Sequence, residues 1–288
     1  MLSTKISTLS IMVGDPSCNL RCPYCISKTT YRVKAPTKTP VSPERIAFLV
    51  DKFRLVAAGI PYGIITGKGE PTLVTKEEMG LVISLLYNNG RGLVPELQTN
   101  GLRLNRENMA FWKEKGLNTV AISCVSPWDE ANSRLLADNR TSWNLGSIVS
   151  QAKEIGLLVR LTVTMTKGGI DSPDSFLAFM KWAKEAGAKQ VTFREMGKPR
   201  QPELKGAQKV IEWIDQHHVE TGFLLEILRV RGKEQAPLPW GYKFNYDGVS
   251  VVVAECLTPP KDGEIRSGII QPDGHMYGSW DDPADILI

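Results

Sequence analysis

Three cysteines fall within eight residues, in the run Asp15-Pro16-Ser17-Cys18-Asn19-Leu20-Arg21-Cys22-Pro23-Tyr24-Cys25. Thiolates are soft ligands suited to iron and zinc. Three on so short a loop can each bind one iron of a cubane, which leaves the fourth iron without a protein ligand. An open coordination position is the general mark of a catalytic rather than a structural metal site. The alternative is structural zinc, which takes four protein ligands. Such a site would have to recruit Cys124, Cys256, His217, His218 or His275, all distant in sequence, and the usual paired spacing is missing. An odd count of five cysteines, with three crowded together, favours metal ligation over disulfides in a reducing compartment.

The elements that must position this loop follow a regular rhythm of apolar strand, loop and amphipathic helix. Strands are expected over 9–13, 63–66, 96–99, 119–124, 158–165 and 190–194. They are nearly continuously apolar and partly β-branched, as in parallel strands covered on both faces. Ser42-Pro43 and Ser172-Pro173 read as an N-cap followed by Pro at the first helical position, and Thr75 with Glu78 as a capping box. Further helices are expected near 105–115, 143–155, 175–187 and 206–218. Six such units predict an α/β fold, a partial (β/α)6 TIM-like barrel rather than a closed eightfold one. The cysteine loop follows the first strand at once, and loops at the C-terminal ends of barrel strands are where barrel active sites are built. After about residue 222 the rhythm changes. Strands are expected over 224–230, 249–253 and 267–277, with Pro272-Asp273-Gly274 as a hairpin turn. The chain therefore divides into a barrel over 1–221 and a C-terminal β extension over 222–288 that caps the barrel mouth.

The spacing Cys-x-x-x-Cys-x-x-Cys, with aromatic Tyr24 before the last cysteine, resembles the defining motif of the radical S-adenosylmethionine (SAM) superfamily. Thr66-Gly67-Lys68-Gly69-Glu70-Pro71 resembles that superfamily's Gly-Gly-Glu-Pro segment, from which Lys68 departs. Gln98-Thr99-Asn100-Gly101 resembles the end of strand three in the branch containing the GTP cyclase of molybdopterin biosynthesis. Ser123 stands where relatives often place a SAM-binding serine, although many continue with Leu-Asp and this chain has Cys124-Val125. The resemblance covers roughly residues 9–196. It implies a 4Fe-4S cluster on Cys18, Cys22 and Cys25, and SAM held near Tyr24, Gly67, Gly69, Glu70, Asn100 and Ser123. It implies reductive cleavage of SAM to a 5′-deoxyadenosyl radical that takes hydrogen from a small-molecule, nucleotide or peptide substrate. An electron donor such as flavodoxin or ferredoxin would be the partner. Two alternatives remain: an activase that installs a glycyl radical in a partner enzyme, and a non-catalytic iron–sulfur or zinc interaction protein. The stretch 269–277 resembles the hairpin of SPASM-type extensions. With only Cys256 in that region, no auxiliary cluster is expected.

The remaining chemistry-bearing residues read as follows. Arg194, at the C-terminal end of a strand, suits the SAM carboxylate or an anionic substrate, because a guanidinium stays charged and forks onto oxyanions. Arg160 lies nearer its strand's start. Cys124 reads as a small buried hydrophobe. Cys256, at a strand end, is the candidate hydrogen-atom donor, as in some family epimerases. His217 and His218 belong to an amphipathic helix, and Arg229 and Arg231 to an edge strand. Lys and Arg total 35 against 31 Asp and Glu, a net charge of +4 without a dense basic block, so nothing points to nucleic acid. No run reaches the ~18 apolar residues of a membrane span, and no leader follows the N-terminus, so a cytoplasmic protein is expected.

Overall fold

The computed structural model describes residues 6–28, 41–88, 92–137, 141–198, 207–238, 240–255, 265, 267–280, 282 and 284–288. Its strands are β1 (Ile6–Met12), β2 (Ala57–Thr66), β3 (Val94–Thr99), β4 (Thr119–Cys124), β5 (Leu158–Thr164), β6 (Gln190–Glu195), β7 (Lys233–Glu234), β8 (Gly241–Tyr246), β9 (Val249–Glu255), β10 (Ser267–Ile270) and β11 (Met276–Tyr277). The helices are α1 (Pro43–Val56), α2 (Lys76–Tyr87), α3 (Arg106–Glu114), α4 (Asp129–Ala137), α5 (Leu145–Glu154), α6 (Pro173–Ala186), α7 (Ala207–His217) and α8 (Gly222–Arg231). All strands belong to one sheet, ordered β11-β10-β1-β2-β3-β4-β5-β6-β9-β8-β7. From β10 to β9 the pairing is parallel, and the outer pairs are antiparallel. This is the expected α/β architecture with a mostly parallel sheet.

Helix starts follow the sequence signals. Ser42 accepts from the Arg45 N–H with Pro43 behind it, and Thr75 with Glu78 forms a complete capping box. The helices cover one face of the sheet. Leu97, Val120, Ile122, Leu161, Val163, Val191, Phe193 and Val251 on that face join Trp112, Phe176 and Phe179 in a continuous core. Phe193 meets Phe176 and Phe179 edge-on, at centroid distances of 5.3 and 5.7 Å. The alternate residues, such as Glu96, Gln98, Ser123, Arg160, Thr192 and Arg194, face the barrel interior.

Three features differ from expectation. The run 224–230 is not a strand but most of helix α8. Its apolar residues fit either period, and the buried pair Leu224 and Leu228 follows the helical spacing of four. Arg229 and Arg231 consequently sit in the last turn of that helix, where cations oppose its dipole favourably, and not on an edge strand. Helix α4 and strand β8 are not among the expected elements; Ser126-Pro127 precedes α4, but the helix begins two residues later, at Asp129. The two late parallel strands lie at opposite ends of the barrel sheet. β9 pairs with β6 and β10 pairs with β1, so strands that follow residue 222 extend both edges.

Candidate active site

β1 ends where the Val13 N–H donates to the Thr66 carbonyl, and Gly14 then turns the chain at φ +76°. A residue with a Cβ strains at that angle. The cysteine loop that follows is folded by local bonds. The Asp15 side chain accepts from the Ser17 N–H, Cys25 N–H reaches the Cys22 carbonyl, and Lys28 Nζ caps the same carbonyl at 2.7 Å. Cys18 lies at the exposed edge, with Cys22 and Cys25 half-buried. The Leu20 N–H points at Cys18 Sγ from 3.4 Å.

The three thiols are close enough that their charges oppose one another. Burial pushes the Cys22 thiol up to about 12, with Cys25 and Cys18 adding to the rise. Such a thiol ionises only when a cation compensates it, which is what an iron ligand experiences. Among the described residues, no three Cys, His, Asp or Glu side chains close on a point that one ion would occupy.

The Gly67–Pro71 turn is pressed against this loop. A Cβ on Gly69 would stand 1.9 Å from the Ser17 carbonyl oxygen, and one on Gly67 would stand 2.8 Å from that of Val13. The close approach lets the Glu70 N–H donate to Ser17 O at 2.9 Å. The Glu70 carboxylate is 5% exposed. It accepts four hydrogen bonds: from Thr72 N (3.0 Å), Thr72 Oγ1 (2.6 Å), Thr99 Oγ1 (2.5 Å) and Asn100 N (2.8 Å). Asn100 Nδ2 in turn donates to Asn19 Oδ1 at 2.7 Å, and its Oδ1 accepts from Leu102 N. Glu70 and Asn100 are therefore pins that tie the ends of β2 and β3 to the cysteine loop. Gly101, at φ +84°, turns the chain away.

Tyr24 is also within this assembly. It hydrogen-bonds with Thr164 at the end of β5, and its ring lies 5.5 Å from Trp213 of α7. Trp213 stacks on His217 at 4.0 Å, and His218 Nε2 meets Glu195 Oε1 at 3.0 Å. Glu195 Oε2 accepts from Thr221 N and Oγ1. The helix carrying Trp213 is thereby fixed beside the loop. Asn19 and Trp213 escaped sequence reasoning. The signal for Trp213 was its spacing of four from His217 on an amphipathic helix.

Ser123 points into the barrel from β4, exposed there, beside its register partner Thr162. Arg194 lies at the end of β6 beside Thr164. Arg160, deeper in, pairs with Glu96 across β4, with Nη2 and Oε1 2.5 Å apart. Cys124 is buried on the helix side, away from the interior. Cys256 lies outside the described residues. The structure thus gathers Cys18, Cys22, Cys25, Tyr24, Gly67, Gly69, Glu70 and Asn100 at one rim, and sets Ser123 and Arg194 on the interior wall. A cavity of about 470 Å³ lined by Leu177, Met180, Lys181 and Tyr246 lies outside the barrel, between α6 and the β8–β9 turn. It contains none of these groups.

Residues 15–203 match the Radical SAM superfamily. A GTP 3′,8-cyclase of Aquifex aeolicus is 32% identical over 189 residues, 65% of this chain and 55% of that protein. The Listeria welshimeri GTP 3′,8-cyclase is 31% identical over 62% of this chain and 50% of its own length. The chain thus spans about half the length of these relatives. One from Campylobacter jejuni is 28% identical over 95% of this chain and 75% of its own length. Among solved structures, Streptococcus suis SuiB bound to the precursor peptide SuiA superposes with a TM-score of 0.58 at 12% identity, covering 96% of this chain and 60% of SuiB. The enzyme anSMEcpe with bound AdoMet superposes with a TM-score of 0.58 at 18% identity, covering 97% of this chain and 77% of its own. At those identities the likeness is one of fold.

Proposed function

Because the chain belongs to the radical SAM superfamily, and is an enzyme that works with a 4Fe-4S cluster and SAM, we propose that Cys18, Cys22 and Cys25 hold the cluster. The rim around Gly67, Gly69 and Tyr24 would seat SAM for hydrogen abstraction from a small molecule, nucleotide or peptide inside the barrel. Held on these cysteines, the cluster would supply the electron for reductive cleavage of SAM to methionine and a 5′-deoxyadenosyl radical. The observation that carries this reading is the interlock at the rim. Gly69 lets the Cys18 loop and the β2 turn share backbone hydrogen bonds, and Glu70 fastens both to the end of β3.

The residues have separate tasks. The three thiols lie near enough to one another to interact electrostatically and would each bind one iron. The glycines let a ligand approach the backbone. Tyr24 and Trp213 bring aromatic surface to the rim, and Ser123 offers a hydroxyl from the interior face of β4. Glu70 and Asn100 spend their bonds on positioning, so they act through the loop they hold. Strands β9 and β10, which extend the two edges of the barrel sheet, would help enclose the substrate, which makes an activase role, with a protein loop entering the barrel, the weaker reading. The electron would come from a flavodoxin- or ferredoxin-like donor in the cytoplasm. GTP heads the substrate screen because the relatives above are named for it.

The test is anaerobic reconstitution with iron and sulfide, addition of SAM and dithionite, and detection of 5′-deoxyadenosine by mass spectrometry beside a Cys22→Ala control. Product that vanishes in the control is the expected result. A protein that retains zinc on these cysteines and builds no cluster would refute the assignment.

A further inference from the structure

The interior wall made by β5 and β6 is polar, and its charges do not balance. Register fixes the depth of each group. Thr164 and Arg194 are partners at the rim, Thr162 and Thr192 lie one layer below, and Arg160 and Gln190 one layer below that. Two residues of strand span about 6.6 Å, so the wall descends about 13 Å from rim to floor. Tyr24 of the cysteine loop bonds with Thr164, the register partner of Arg194, so Arg194 lies one strand away from a contact with that loop.

At the floor, small Ala121 on β4 lets Arg160 reach over to Glu96. This pair neutralises itself, yet Arg160 Nε remains buried without a partner. So does Thr192 Oγ1, on a residue only 5% exposed. Arg194 is near enough to Arg160 for their like charges to repel. Among the described residues no carboxylate pairs with Arg194. The nearby acids are committed elsewhere. Glu70 is saturated at the rim, and Glu195 holds His218 and Thr221. Folded proteins pair interior charges and satisfy buried hydroxyls. Here one guanidinium and one hydroxyl await a common acceptor.

We propose that the substrate carries an oxyanion, a phosphate or carboxylate, that docks on this wall against Arg194 with Thr192 donating from below. This rests on the interior-substrate reading above. An oxyanion accepts both from the guanidinium fork and from the hydroxyl, which a neutral substrate does less well. The Glu96–Arg160 pair forms the floor and keeps the second guanidinium from claiming the anion.

Isothermal titration of the reconstituted, SAM-saturated protein at low ionic strength tests this, with inorganic pyrophosphate and glutarate as separate arms. At least one arm binds the native protein. Arg194→Gln weakens it by about tenfold or more, the loss of a charge-assisted contact, and Arg194→Lys restores part. Glu96→Gln works in the opposite direction. It releases Arg160 and tightens binding by about threefold or more, a gain that misfolding cannot imitate. Binding by pyrophosphate alone identifies a phosphorylated substrate, and by glutarate alone a carboxylate. The proposal is overturned if neither anion binds, if Arg194→Gln leaves anion affinity intact, or if that variant weakens SAM instead. The titration needs no electron, so its failure is separate from a failure to form 5′-deoxyadenosine.

Discussion

The rim around the cysteine loop and the wall formed by β5 and β6 lie within one barrel and treat polar groups in opposite ways. Around Glu70, at the rim, the donors and acceptors are spent: the carboxylate takes four hydrogen bonds, and Asn100 is held on both sides. On the wall Arg160 Nε and Thr192 Oγ1 have none. A rim that satisfies itself is rigid before any ligand arrives, which suits the positioning of a cofactor. A wall with unspent donors stores binding capacity that only a ligand releases. Substitutions should therefore damage the rim and barely disturb the wall's stability.

The largest effect is expected at Gly69. An alanine Cβ cannot occupy a point 1.9 Å from the Ser17 carbonyl, so the cysteine loop and the β2 turn must separate. A displacement of about 1 Å is enough to cost about 100-fold in rate. Gly69→Ala should thus lower 5′-deoxyadenosine formation by at least that factor, with fewer irons retained per chain. Iron content and product near the native values would show that the interlock is not what seats the cofactors.

Next is the pH response of the iron-free protein. The Cys22 thiol is raised to about 12, chiefly by burial, while an unfolded cysteine ionises near 8.5. Between these values the unfolded chain has released a proton that the folded one retains, so stability falls as pH rises. The slope is about 1.4 kcal/mol per pH unit. The difference in melting temperature between native protein and Cys22→Ala should therefore change steadily above pH 9 and stay flat below it. Cluster assembly has the complementary dependence, strengthening with pH because the thiol must lose its proton to iron. Parallel melting curves across pH 7–10.5 would remove Cys22 from this account.

The rim also shows what sequence can and cannot convey. The cysteine spacing, the glycines of the β2 turn and the six core strands were readable, because each depends on local residue order or on apolar periodicity. The partners of Glu70 were not, since Thr99 and Asn100 are about thirty positions away and only strand register brings them near. Glu96 and Arg160 meet across β4 for the same reason, with the contact depending on the small side chain of Ala121. The place of β9 beside β6 and of β10 beside β1 is a matter of strand order, on which short parallel strands of similar composition are silent. The run that forms helix α8 reads equally as a strand, because its apolar residues satisfy both periods over so few positions.

Glu70→Gln gives the third effect. The amide keeps one acceptor oxygen but turns an NH2 toward groups that donate, so at least one buried donor loses its partner. A loss of about 2 kcal/mol is expected, read as a lower urea midpoint with an unchanged slope. No change in midpoint would mean that the rim is not as tightly specified as its hydrogen bonds indicate.

Thr192→Val is the smallest change and the sharpest contrast with Glu70. Valine has nearly the shape of threonine and lacks the hydroxyl that is buried without a partner. Removing an unsatisfied buried polar group costs nothing and recovers its desolvation penalty, so the variant should be as stable as the native protein or more so by about 1 kcal/mol. Glu70→Gln and Thr192→Val each alter one buried polar side chain, yet urea titration should move their midpoints in opposite directions. A destabilised Thr192→Val would mean that the hydroxyl is already satisfied within the fold and is not held in reserve for a ligand.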